Sequence, residues 1–158
     1  MNHYSNRGFT LIEILVVIVI IGITVGFALI AFGDFGEGRR VLFAADQLVN
    51  TLRLAQQQAI LETSTLGLRI DKTSYQILKF DKSSTWSPIA NKGIFKIKYF
   101  PTNAVVTLQT TNDIKANVPS IIINSSGDMT PFTLSFGTSK DKVLTRLKGS
   151  HNGSLKFK

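Results

Sequence analysis

Twenty consecutive residues, Ile14 to Gly33, carry no charge, and Thr24 is their only hydroxyl. As a helix rising about 1.5 Å per residue, such a run is about 30 Å long, the thickness of the hydrocarbon layer of a bilayer. Surface this apolar has to be covered by lipid or by other helices, whatever the rest of the chain builds. Glu13 stands at its front edge. A charge in hydrocarbon costs roughly 2.5–3.5 kcal/mol at a helix centre and less toward an end, so a carboxylate here is a functional candidate that needs a partner.

Three readings compete for residues 1–33. A cleaved secretory signal has an apolar region of about 7–15 residues followed by small residues at the cut. This run is longer, and Phe32, Asp34 and Phe35 stand where small residues belong. A plain signal anchor fits better: Arg7 precedes the span, Asp34 and Glu37 follow it, and the positive-inside bias places the remainder outside the cytoplasm. It leaves Glu13 unexplained.

The third reading explains it. Arg7-Gly8-Phe9-Thr10-Leu11-Ile12-Glu13 resembles the class III signal of type IV pilins and type II secretion pseudopilins. The resemblance implies cleavage by a membrane peptidase between Gly8 and Phe9, methylation of the new amine of Phe9, and Glu13 as the fifth residue of the mature chain. It also implies a bacterial inner-membrane protein whose globular part lies in the periplasm. The chemistry suits that mapping. Cleavage creates a cationic α-amine, and in a stack of staggered helices the amine of one subunit can neutralise Glu13 of the next.

Beyond the span, Gly33, Gly36 and Gly38 bracket Asp34 and Glu37, a place for the helix to bend or melt. Val41, Ala45, Leu48, Leu52, Ala55 and Ala59 then recur at spacings of four and three, which predicts one apolar helical stripe from Arg39 to about Glu62. The stripe is read as a lid on the chain's own sheet. Short β-branched or aromatic segments follow: 66–70, 75–80, 94–100, 105–110, 120–124, 132–136, 143–147 and 155–157. Turn residues separate them, with Asn152-Gly153 read as a two-residue hairpin turn. Trp86 and Pro88 are read as pinning a loop over the core, and Phe132, Leu134 and Phe136 as core. The expected class is α+β, pilin-like: a long N-terminal helix, transmembrane then amphipathic, packed on an antiparallel two-sheet β-sandwich. The divisions are 1–8 leader, 9–33 membrane and filament-core helix, 34–64 its continuation, and 65–158 a β-rich globular domain.

Catalytic patterns do not emerge. The sequence has no cysteine, and its two histidines are His3, in the leader, and His151, beside the terminal hairpin. Asp71, Asp81, Asp113, Asp128 and Asp141 lie singly in turn segments, where Asp bonds its own backbone. Asn124-Ser125-Ser126-Gly127-Asp128 comes nearest to a calcium loop but offers too few oxygen ligands. No enzyme, metal or cofactor is expected.

Three further stretches, Leu54 to Ile60, Tyr75 to Leu78 with Trp86 to Ile89, and Ile123 to Phe132, resemble the H family of minor pseudopilins of type II secretion. That resemblance implies a structural subunit near the tip of a periplasmic pseudopilus that drives export of folded proteins. Its partners would be the other minor pseudopilins, the major pseudopilin, the prepilin peptidase and the inner-membrane assembly platform. A formal charge of +8 raises a second reading, a FimT-like minor pilin acting in pilus assembly or DNA uptake. The basic residues are scattered, however, and the densest run, Lys140 to Lys148, reads as a solvated strand pair. Lys148 to Lys158 contains no arginine where DNA-binding relatives carry several, so nucleic acid is not the expected partner.

Overall fold

The computed structural model describes residues 9–33, 35–89, 93–111 and 118–158. They fall into two compact units, Met1–Gly36 and Glu37–Lys158. In the first, helix α1 runs from Leu11 to Gly33, and its Leu11–Leu29 segment is long and apolar enough to cross a bilayer. Every side chain from Phe9 to Leu29 is exposed. Valine and isoleucine dominate α1, and they are indifferent helix formers in water. In lipid the backbone must satisfy its own polar groups, and a helix does so without help from neighbours.

Helix α2 spans Phe35–Leu61. Gly36 and Gly38 lie inside it, so of bending and melting the second does not occur at these two positions, while Asp34 lies outside the described residues. The stripe Val41, Ala45, Leu48, Leu52, Ala55 and Ala59 is buried to within 1% and faces the domain's own sheets, as the spacing predicts. The helix closes with the amide of Ser64 donating to the Ala59 carbonyl (3.0 Å) and that of Thr63 donating to the Ile60 carbonyl (3.3 Å). Thr63 sits at φ 48°, the left-handed position that usually belongs to glycine in this cap.

Two antiparallel sheets pack with α2. The first holds β1 (Leu66–Ile70), β2 (Ser74–Phe80), β3 (Trp86–Pro88), β4 (Lys98–Tyr99) and β6 (Ile121–Ile123), in the order β3-β2-β1-β6 with β4 also against β2. The second runs β5 (Ala104–Thr110), β7 (Phe132–Thr138), β8 (Thr145–Gly149), β9 (Leu155–Phe157). Leu66, Leu68, Tyr75, Ile77, Ile121 and Ile123 from the first sheet share one core with Phe132, Leu134, Phe136 and Leu147 from the second. Phe100 links the sheets, its ring centre 5.3 Å from that of Tyr75 and 6.3 Å from that of Phe136. Burial pushes the Tyr75 phenol above its usual range.

Four expectations need correction. Trp86 and Pro88 form strand β3 rather than a loop, paired to Phe80 and Leu78. The Trp86 ring packs tilted against that of Phe80, centres 5.0 Å apart, and covers Gly67 on the face of the sheet turned away from the core. A Cβ on Gly67 would come within 2.5 Å of Pro119, which lies over the same spot. Of the stretch expected as a strand from Ile94 to Phe100, only Lys98–Tyr99 pairs, because β3 already occupies the rest of that edge of β2. The last hairpin's first strand begins at Thr145, since residues before it fold back over Gly137, where a Cβ would meet the Lys142 carbonyl at 2.2 Å.

The Asn152-Gly153 turn is also one residue longer than expected. The Ser150 amide donates to Ser154 (3.0 Å), that of Gly153 donates to Ser150 (3.0 Å), and Gly153 takes φ +78°. The loop from Asn124 to Asp128 repeats this design: the Asn124 amide donates to Asp128 (2.9 Å), that of Gly127 to Asn124 (2.9 Å), and Gly127 has φ +87°. A type I turn followed by a left-handed residue makes this bulged hairpin.

Candidate functional site

Thr10 and Glu13 form one local structure at the start of α1. The Glu13 amide donates to the Thr10 carbonyl (3.1 Å) and lies 3.3 Å from the Thr10 hydroxyl, while the Ile14 amide also reaches that carbonyl (3.3 Å). Thr10 therefore caps α1, and Glu13 occupies the third helical position, near the positive end of the helix dipole. Thr-x-x-Glu before an apolar run is the sequence sign of a capping box, a signal that the charge argument alone passes over. The Glu13 carboxylate has no hydrogen bond or ion pair among the described residues. Phe9, 79% exposed, packs against nothing comparable to a core. Residues 1–8, with His3, Arg7 and Gly8, lie outside the described residues.

In the second unit, Gln56 lies on α2, one residue after the buried Ala55. Its side-chain amide donates to the Gly127 carbonyl (2.7 Å) and the Gly153 carbonyl (3.0 Å), pinning both bulged hairpins to the helix. Two of the three stretches that carry the H-type resemblance meet in this clamp, and the third is the β2–β3 pairing. Periodicity had no means to find Gln56, because its partners are backbone carbonyls far along the chain.

The other side of α2 leaves Phe43 64% exposed, and Tyr99 is 71% exposed across an open cleft of about 790 Å³ flanked by Arg39 and Arg40. Nearby, Lys98 donates to the Thr51 hydroxyl (3.0 Å), which donates on to the Gln47 carbonyl (2.8 Å). Burial, helped by Lys96, holds the Lys98 amine below its usual range. His151 is exposed in its turn.

The sequence of residues 44–153 matches the family described as type II transport protein GspH. The chain belongs to this family. Residues 4–29 match the prokaryotic N-terminal methylation motif, which spans Gly8, Phe9 and Glu13. The chain is 29% identical to the type II secretion system protein H of Pseudomonas aeruginosa, over 82% of each chain. Its counterpart from Aeromonas hydrophila is 22% identical, over 99% of this chain and 96% of that one. The fold resembles that of the minor pseudopilin EpsH from the type 2 secretion system of Vibrio cholerae, with a TM-score of 0.65 at 20% identity, covering 75% of this chain and 94% of that structure. GspH-family membership favours secretion over the FimT-like alternative.

Proposed function

We propose that the chain is a minor pseudopilin of type II secretion, a structural subunit of a periplasmic pseudopilus that helps drive folded proteins across the outer membrane. One observation carries the reading: α1 is apolar and exposed from Leu11 to Leu29, with a single carboxylate, Glu13, in its first turn and no partner for it among the described residues. Lipid covers such a helix before assembly, and the helices of other subunits cover it afterwards.

In this reading residues 1–8 are a leader removed between Gly8 and Phe9, Phe9 is methylated, and residues 9–33 anchor the chain in the inner membrane. Residues 34–64 carry the helix into the periplasm, where residues 65–158 lie. The Phe9 amine of one subunit neutralises Glu13 of another, so two charges costly in lipid become one pair. The capping geometry supports this role, because the Thr10 hydroxyl and carbonyl serve the first helical amides and leave the Glu13 carboxylate available. Its partners are other minor pseudopilins, the major pseudopilin, the prepilin peptidase and the assembly platform. Intact-mass measurement on protein from its native membrane tests the reading. A species beginning at methylated Phe9 is expected, and a chain still carrying Met1–Gly8 would overturn it.

A further inference from the structure

The second sheet has an outer face that its own fold does not require. Along β8 and β9, Arg146 lies directly across from Lys158, their backbones exchanging hydrogen bonds of 3.1 and 2.8 Å. Two residues on, Lys148 lies across from Lys156. Register extends each pair into a rung: Thr107, Ser135, Arg146 and Lys158 in one, and Gln109, Thr133, Lys148 and Lys156 in the other. Like charges directly opposite on neighbouring strands destabilise a sheet. None of these four cations has an ion pair among the described residues.

The core asks nothing of these positions, since Leu147, on the opposite face, supplies the packing. Two like-charge pairs side by side therefore break a local rule without a structural return, which is the mark of a surface kept for a partner. Most of these residues line a groove of about 660 Å³, where Lys142 adds a further cation and no acidic or aromatic side chain takes part.

We propose that this groove docks an acidic, extended segment of a neighbouring protein subunit; that the neighbour is a filament subunit rests on the pseudopilin reading. The rungs are about 6.8 Å apart, the repeat of alternate side chains on a strand, so carboxylates at positions i and i+2 of an extended segment meet successive rungs. The hydroxyls and the amide of the β5 and β7 positions offer hydrogen bonds beside them. A second copy is a poor occupant, because it brings the same +8. Single-stranded nucleic acid is disfavoured, because its bases stack on aromatic platforms and the groove has none.

Fluorescence anisotropy on the purified full-length chain in zwitterionic detergent micelles tests this, with labelled decaglutamate and an oligothymidylate carrying the same charge as probes. Decaglutamate should bind more tightly than the oligothymidylate, and Arg146→Gln with Lys148→Gln should weaken it about tenfold or more. Lys72→Gln with Lys82→Gln removes the same charge elsewhere and should change binding by less than about twofold. Lys156→Glu replaces a repelling pair by an attracting one, so it should raise the melting temperature while weakening the peptide. Equal losses from the two double variants would reduce the effect to net charge and overturn the site. Tighter binding of the oligothymidylate would overturn the peptide assignment and give the face to nucleic acid. Because binding is read on the isolated chain, a failed cleavage or filament result would strike the pseudopilin reading alone.

Discussion

Gln56 and Gly153 are joined by a hydrogen bond of 3.0 Å between the glutamine side-chain amide and the glycine carbonyl, across a sequence separation of 97 residues. The second proton of that amide reaches Gly127 at 2.7 Å, so one side chain satisfies two turns. Gln56→Ala should cost about 1–3 kcal/mol, because both carbonyls lose their donor in a partly buried place. Gly153→Ala should cost at least as much: its Cβ would meet the Gln56 amide nitrogen at 1.9 Å, at a φ of +78° that favours glycine. The double variant should lose less than the sum, since the collision with the Gln56 amide disappears while the approach to the Gly127 carbonyl at 2.5 Å and the backbone strain remain. Denaturant unfolding of the three variants measures the coupling.

Thr63 offers the opposite case. A β-branched residue at φ 48° is strained by about 1–2 kcal/mol relative to the right-handed region. Thr63→Gly should therefore stabilise the domain by up to ~1 kcal/mol after allowing for the freer unfolded chain. Thr63→Ala, which keeps a Cβ, should gain little. Thermal unfolding of both variants distinguishes relief of strain from a general effect of shortening the side chain.

Just before that cap, Lys79 lies 2.6 Å from the Glu62 carboxylate, and Gln58 donates to its other oxygen. The Lys79 hydrogen bond first, then that of Gln58, hold the carboxyl below its ordinary value of 4.5. A depressed folded pKa means that the pair's contribution is fully present above about pH 4.5 and fades as pH falls through the folded value. Carbon-detected titration should place the Glu62 midpoint below 4.5, and Lys79→Met should bring it back toward 4.5. The stability difference between the two proteins should shrink in acid.

For Glu13, two roles are separable by choice of substitution. Glutamine keeps a polar side chain of the same length at the third helical position but carries no charge, whereas alanine removes both. If neutralisation of a neighbour's amine governs assembly, Glu13→Gln and Glu13→Ala should both be cleaved normally. Both should also enter filaments about tenfold less than wild type, equivalent to ~1.4 kcal/mol. Wild-type incorporation of the glutamine variant, measured by cross-linking in cells, would overturn the neutralising role of the charge.

Much was legible without coordinates wherever the governing physics was local or periodic. The uncharged run from Ile14 to Gly33 forces a lipid-compatible helix because its length matches a bilayer. The Val41-to-Ala59 spacing forces one buried face because a helix turns every 3.6 residues. Phe132, Leu134 and Phe136 face inward for the analogous reason in a strand. Other features depend on which strands became neighbours. Trp86 becomes a strand residue only because β2 supplies its edge, and the Ile94-to-Phe100 stretch pairs at Lys98–Tyr99 alone because β3 takes the rest of that edge. The cations Arg146, Lys148, Lys156 and Lys158 look scattered along the chain and become two facing pairs only through the register of the last hairpin.

The sequence alone settled the apolar helix, the lid on the sheets and the acid at the helix start, since each follows from composition and spacing along a single element. Tertiary structure decided the Gln56 clamp, the outer position of Trp86 and the basic face. Those depend on hydrogen bonds and strand pairings between residues that are distant in the chain, whose partners no local pattern specifies.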